Sequence, residues 1–234
     1  MTSPSSGVDQ RPTFFFDLDN CLYSKDRRIG VLMGKLISKY FQEHLELSVE
    51  DAETLHQQYY TMYGLALEGL VRHHKIDPLE YNTKVDDALP LDDLLKPDPA
   101  LKQLLSSIDR TKYKTWIFTN AYINHAKRCL KLLDLEDMFE GITYCDYAEP
   151  QLVCKPHPNM FEKAMREARI TDKEKCFFVD DSSLNVNAAK EFGWKVCVHL
   201  HETEWSGEIP NAGTHTIHNL AELKDIPELK SVFR

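Results

Sequence analysis

Along this chain the spacing of apolar positions changes character at Leu22 and again near Pro97. The run Phe14-Phe15-Phe16 is short and unbroken between Pro12 and a polar turn, the pattern of a strand buried on both faces. From Gly30 to Leu45 the period is helical. Leu32, Leu36 and Tyr40 form one row and Met33, Ile37 and Phe41 the next, with Lys35, Lys39 and Glu43 opposite. Ser48 is placed to cap a helix running to about Tyr60, a segment from Tyr63 to His74 follows, and Asp77-Pro78 opens another helix. No strand is expected between Leu22 and Pro97. Beyond Asp98-Pro99, a further helix start, the pattern alternates. Strands are expected at Thr115–Thr119, Ile142–Cys145, Cys176–Val179, Lys195–Leu200 and, more weakly, Thr214–His218. Helices are expected at Ile123–Leu133, Pro158–Ala168 and Leu184–Phe192, the last stopped by Gly193. Strands alternating with helices predict an α/β fold, a parallel sheet covered on both sides in three layers.

The first strand and the one at Thr115 should be neighbours in that sheet. A parallel crossover needs only ~12 residues or a few more. Here the connection is far longer and almost wholly helical, which predicts an all-helical module inserted directly after the first strand. The division expected is a flexible N-terminal segment at 1–12, a core at 13–22 and 98–234, and the helical insertion at 23–97. Such an insertion would lie over the carboxyl edge of the sheet and suits a lid.

Composition narrows the classes of function. The 234 residues carry a net charge of −9 with no Lys/Arg block, which argues against a nucleic acid polymer as partner. No apolar run approaches the ~20 residues of a membrane span. Met1 to Pro12 is rich in Ser and Pro and lacks the apolar stretch of a secretory signal. The six cysteines are scattered, with no C-x-x-C pair, and several fall in apolar strand-like runs. They read as free buried thiols in a reducing compartment, so a cytoplasmic location is expected, with the nucleus also open.

The candidate chemistry lies at strand ends. Asp17 and Asp19 follow the first strand, and at spacing i, i+2 both face one way while the chain stays extended. Thr119-Asn120 ends the second strand, Lys155 precedes the helix opened by His157-Pro158, and Asp180-Asp181 ends the strand at Cys176. In an open α/β sheet this edge is where ligands bind. Several carboxylates in one place need a cation among them, and oxygen-only ligation beside a phosphate site favours Mg²⁺. A Thr119 hydroxyl, the Asn120 backbone N–H and the Lys155 ammonium would cradle phosphate oxygens. The H-x-H pair His199 and His201 has no third ligand nearby, so no zinc site is expected there.

D-x-D-x-[TV], a strand ending in Thr, a Lys and a D-D pair, in this order, resemble the four-part signature of the haloacid dehalogenase superfamily. Here they are Asp17-Leu18-Asp19-Asn20-Cys21, Thr119, Lys155 and Asp180-Asp181. The resemblance covers about Phe14 to Leu200, and the helical insertion is similar to the family's C1-type cap. Cys21 departs from the usual Thr or Val. The DxDNxLY stretch, Tyr63-Gly64 with Glu68-Gly69-Leu70, and Thr119-Asn120-Ala121 are similar to the fungal pyrimidine 5′-nucleotidase branch. The resemblance implies a Mg²⁺-dependent phosphomonoester hydrolase working through an aspartyl-phosphate. Asp17 would be the nucleophile and Asp19 the general acid and base, its backbone carbonyl also on the metal. Asp17 and Asp181 would be metal carboxylates, with Asp180 on the metal directly or through water, and Asp17, Thr119, Asn120 and Lys155 would be phosphate ligands. Asn185 would order the acids from behind. The implied substrate is a nucleoside monophosphate such as UMP or CMP, with Tyr60, Tyr63, Tyr122 and His73 (or His74) as candidates to hold the base. Lysophosphatidic acid and sugar phosphates are alternatives on the same core. A dehalogenase proper would need neither Asp19 nor Asp180-Asp181, and a silent binding protein would tend to have lost an acid or Lys155.

Overall fold

The computed structural model describes residues 9–202 and 212–234. The strands are β1 Thr13–Phe16, β2 Lys114–Phe118, β3 Ile142–Thr143, β4 Cys176–Asp180, β5 Val196–Leu200 and β6 His215–Ile217. They form one parallel sheet in the order β3-β2-β1-β4-β5-β6. The helices are α1 Ile29–Leu45, α2 Val49–Tyr63, α3 Ala66–His74, α4 Pro78–Lys84, α5 Leu91–Leu94, α6 Pro99–Ser106, α7 Ile123–Leu132, α8 Pro158–Glu167 and α9 Ser183–Phe192. The strands and helices thus fall where the apolar periods place them, and the fold is the α/β class expected.

β1 is buried throughout, and its three phenylalanines reflect cover on both of its faces. Phe14 and Phe16 join one buried cluster, and Phe15 joins the other with Phe118, Phe178 and Trp194. The Phe15 and Trp194 rings stack with centroids 4.6 Å apart. In the register Phe16 sits beside Ile117 of β2 and Val179 of β4. One residue on, Asp17 and Asp180 therefore leave the sheet side by side. From β1 the strand order runs outward one way through β2 and the other way through β4. The β1/β4 boundary is thus the point where ligands bind in open α/β sheets.

Between β1 and β2 the described chain is helical. α1 to α4 enclose an apolar cluster of their own, with Phe41, Tyr59, Leu67 and Tyr81 meeting Tyr147 and Cys154 from the loop before α8. Val85, just after α4, is the last residue of this stretch in that cluster. Leu89, Leu91 and Leu95 join the sheet's cluster instead, and Arg128 of α7 donates to the Leu89 carbonyl at 3.0 Å and pairs with Asp92. Of the N-terminal segment, residues 1–8 lie outside the described residues. Residues 9–12 are not loose, because Arg11 pairs with Asp9 and Glu140, each at 2.7 Å, and donates to the Arg110 carbonyl. All six cysteines are buried and free. No described helix is long and apolar enough to cross a membrane.

Candidate active site

Asp17 continues β1 by donating its backbone N–H to the Val179 carbonyl at 2.9 Å. Its carboxylate is 6% exposed and accepts from the Lys155 Nζ at 2.7 Å. The same ammonium donates to Asp180 Oδ2 at 2.6 Å and to the Phe118 carbonyl at 2.7 Å, which uses all three of its protons. The Phe118 and Phe178 rings flank it, with centroids 5.1 and 5.4 Å away. Lys155 is held by reciprocal bonds with Asn120. Its N–H donates to Asn120 Oδ1 at 2.7 Å, and Asn120 Nδ2 donates back to its carbonyl at 2.9 Å. Asn120 Nδ2 also reaches the Gly64 carbonyl at 3.4 Å, so the turn between α2 and α3 touches this loop. At Gly64 φ is +78°, and a Cβ there would lie 2.3 Å from the Lys155 carbonyl oxygen. Only glycine fits that contact.

Asp180 is fully buried. It accepts from the Ser182 N–H at 2.7 Å and from Asn185 Nδ2 at 3.2 and 3.1 Å, the supporting place the sequence suggested for Asn185. Asp181 is met by Lys25 at 3.0 Å. Thr119 Oγ1 accepts from the Ala121 N–H at 3.0 Å. Asp19 turns the other way. Its Oδ1 accepts from Tyr23 OH at 2.5 Å and lies 2.7 Å from His125 Nε2.

The titration of these groups follows from burial and crowding. Burial pushes the Asp17 carboxyl well up, and the nearby Asp180 and Asp181 add to this against the opposing pull of Lys155. Burial and Asp180 push Asp181 up to about 6, with Lys25 working the other way. Burial works against the Lys155 ammonium, but Asp17 and Asp180 outweigh it and the net shift is upward. Asp19 differs from its neighbours. Burial raises it, yet the charge and hydrogen bond of His125 and the Tyr23 hydroxyl hold it below the ordinary carboxylate range. His125 is raised in turn, Asp19 overcoming the effect of burial.

These shifts bear on the cation question. Asp17, Asp180 and Asp181 each offer a carboxylate oxygen, all within 4.8 Å of one another. Three carboxylates face one buried ammonium and the partly exposed Lys25. An all-oxygen set with surplus negative charge fits a hard divalent cation. The Asp19 carboxylate is not in this set and groups instead with His125 and Cys129.

A cavity of about 270 Å³ opens between this edge and the inserted helices. Asp17, Asp19, Thr119, Asn120, Lys155 and Asp181 line one side, and Met33, Ile37, His56, Tyr60 and Tyr81 the other. Of the four residues expected to hold a base, Tyr60 lines the cavity. Tyr63, His73 and Tyr122 do not. Tyr63 OH bonds His73 Nε2 at 2.7 Å within the helical unit, and Tyr122 stacks on Tyr147 with centroids 5.1 Å apart. Their rings are engaged with protein neighbours. Also outside the lining, His74 takes the Tyr59 hydroxyl at 2.6 Å. His199, of the H-x-H pair, bonds the Asp181 carbonyl at 3.3 Å.

Sequence reasoning missed Tyr23, Lys25, Asp86 and His125. A signal existed for two of them. Tyr23 lies four residues after Asp19, and His125 sits on the apolar row of α7 with Ala126, Cys129 and Leu130. A polar ring on such a row needs a buried partner.

Comparison with known proteins agrees with this geometry. The family described as haloacid dehalogenase-like hydrolase matches residues 12–193. Phosphate metabolism protein 8 of Saccharomyces cerevisiae is 40% identical over 230 residues, covering 94% of this chain and 71% of that protein. Glyceraldehyde 3-phosphate phosphatase of Pyrococcus furiosus is 26% identical over 193 residues, 77% of each chain. Among solved structures, CbbY of Rhodobacter sphaeroides, in complex with xylulose-1,5-bisphosphate, superposes with a TM-score of 0.63 at 17% identity. It covers 92% of this chain and 96% of its own. The chain belongs to the haloacid dehalogenase-like hydrolases and is a phosphatase, an enzyme that hydrolyses small phosphate esters.

Proposed function

We propose that this phosphatase is a Mg²⁺-dependent phosphomonoester hydrolase that works through a phosphorylated Asp17, with a pyrimidine nucleoside monophosphate such as UMP or CMP as substrate. The observation that carries the mechanism is the buried Lys155 bridging Asp17 and Asp180 at 2.7 and 2.6 Å. It fixes one carboxylate oxygen of Asp17 and leaves the other to attack phosphorus. Asp17, Asp180 and Asp181, with the backbone carbonyl of Asp19, would hold the cation. Bound there, Mg²⁺ supplies the positive charge that lets an anionic nucleophile meet an anionic ester. In its protonated form Asp19 would give its proton to the leaving oxygen, and the carboxylate so formed would take one from the water that hydrolyses the aspartyl-phosphate. Thr119, the Asn120 N–H and Lys155 hold the oxygens of the transferring group.

Support for a nucleotide comes from the cavity. It places Tyr60 and an apolar wall of Met33 and Ile37 across from the acids, a surface suited to a flat ring. Its volume is close to the lower end of the ~300–1,000 Å³ of small-molecule sites. The name of the Pyrococcus relative favours a second reading, a sugar phosphate on the same core. Phosphate release across nucleoside monophosphates, sugar phosphates and lysophosphatidic acid, with Mg²⁺ and with chelator, decides between them. UMP and CMP should lead, chelation should stop turnover, and Asp17→Asn should abolish it while the protein stays folded. A sugar- or lipid-led profile would remove the nucleotide reading, and near wild-type turnover by Asp17→Asn would remove the covalent one.

A further inference from the structure

We infer that His125 is the positioning residue for Asp19. It holds that carboxyl in the orientation from which it serves the leaving oxygen, with Tyr23 as a second support. The inference rests on the reading of Asp19 as general acid and base. His125 lies on the first turn of α7, directly after the Thr119-Asn120 loop, and is 1% exposed. Its Nε2 lies 2.7 Å from Asp19 Oδ1, and Tyr23 OH donates to the same oxygen at 2.5 Å. Both donors therefore fall on one oxygen, and among the described residues none reaches Oδ2. Asp19 lines the cavity with 28% of its side chain exposed. A carboxylate tied at one oxygen from the protein side can turn only its other oxygen to a substrate.

The same three residues could be taken for a metal site, since atoms of Asp19, His125 and Cys129 lie within 4.8 Å of one another. The spacing argues against that. Two ligands at ~2.0 Å from a tetrahedral metal stand ~3.3 Å apart. The 2.7 Å between His125 and Asp19 is the length of a hydrogen bond, and Cys129 Sγ follows at 3.4 Å from the same nitrogen. The imidazole thus donates through Nε2, and its buried Nδ1 has no partner. All of its polar reach is spent on Asp19 and its neighbour on α7.

Orientation of an acid matters most when the leaving group is basic. An alkoxide leaves poorly without a proton, whereas p-nitrophenolate needs none. The experiment compares the rate of alcohol release in the first turnover, before Asp19 acts as base on the shared aspartyl-phosphate, for p-nitrophenyl phosphate and for the best alkyl ester of the panel above. The variants are His125→Leu, His125→Asn, which is polar but too short to reach Asp19, and His125→Gln, whose amide reaches the Nε2 position. His125→Leu and His125→Asn should each lose about 10- to 100-fold in this first-turnover rate on the alkyl ester and less than about threefold on the aryl ester. KM should change little, and His125→Gln should recover most of the loss. If His125→Leu does not fold, His125→Asn against His125→Gln carries the same comparison. An equal loss on both esters, or no loss, overturns the inference. Asp19→Asn serves as the control. If it shows the split and the His125 variants do not, His125 alone is misassigned. If it loses equally on both esters, Asp19 is not the acid, and the inference falls with that reading.

Discussion

Asp86 offers a direct measurement of what the buried side of the cavity costs. It is 4% exposed, lines the cavity, and its Oδ2 has no hydrogen-bond partner. Burial is the main reason its carboxyl is pushed up to about 6. Asp19 adds to the shift, while His125 and the Tyr147 hydroxyl work against it. The unfolded value is 3.8, so the folded protein holds this proton more tightly than the unfolded chain does. Between these two values the native state binds more protons, and stability must fall as pH rises. A shift of about two units is worth about 3 kcal/mol, present below pH ~4 and lost once the pH passes ~6. Asp86→Asn keeps the shape and removes the titration. Urea unfolding of both proteins from pH 4 to 8 isolates the effect, because other groups cancel in the difference. The variant should gain on wild type by about 2 kcal/mol across that range, nearly all of it before pH 7. A difference that stays constant with pH, or that favours wild type as pH rises, would refute the assignment of a buried, uncompensated carboxyl.

Two further outcomes follow from the contacts around Lys155. Lys155→Met strands Asp17 and Asp180 without their shared cation, so urea unfolding near neutral pH should show a loss of about 3–5 kcal/mol. Turnover should drop by at least ~10²–10³, and a stable, active variant would contradict the bridge. Gly64→Ala must fit a Cβ 2.3 Å from the Lys155 carbonyl at φ +78°. It should cost at least about 2 kcal/mol in thermal unfolding and lower kcat by shifting the Lys155 loop, whereas an unchanged kcat would mean the loop does not feel the turn.

Much of the architecture was readable because it rests on periodicity and punctuation. Phe14–Phe16 announced a strand covered on both faces. Asp98, whose side chain accepts from the Ala100 N–H at 2.8 Å, announced the start of α6 as proline followed it. Asp17, Thr119, Lys155 and Asp180 could be grouped because each stands where a predicted strand or its loop ends. Side-chain direction inside the helical unit was not readable in this way. Tyr59, Tyr60 and Tyr63 look alike in sequence. The turn of α2 sends Tyr59 into the apolar cluster, Tyr60 to the cavity and Tyr63 to His73. A helix places neighbours ~100° apart, and its phase is set by what it packs against. His125 escaped for a related reason, since its partner Asp19 is distant in sequence and meets it only once α7 lies beside the β1 loop. Nor do Leu89, Leu91 and Leu95 carry any mark in the sequence of the cluster they join.

The burial of β1 on both faces has a consequence for how the molecule loosens. The Asp17 amide is bonded to Val179 in the middle of the sheet, between two apolar layers. Its hydrogen exchange should require global unfolding, which puts Asp17 in the slowest-exchanging tier of the protein. The inserted helices pack mainly on a second apolar cluster, with Ile29 of α1 reaching the sheet's own, so their amides should exchange through smaller openings. The Asp17 side and the Tyr60 side of the cavity should thus belong to different levels of local stability. The helical wall can then loosen while Asp17 keeps its place.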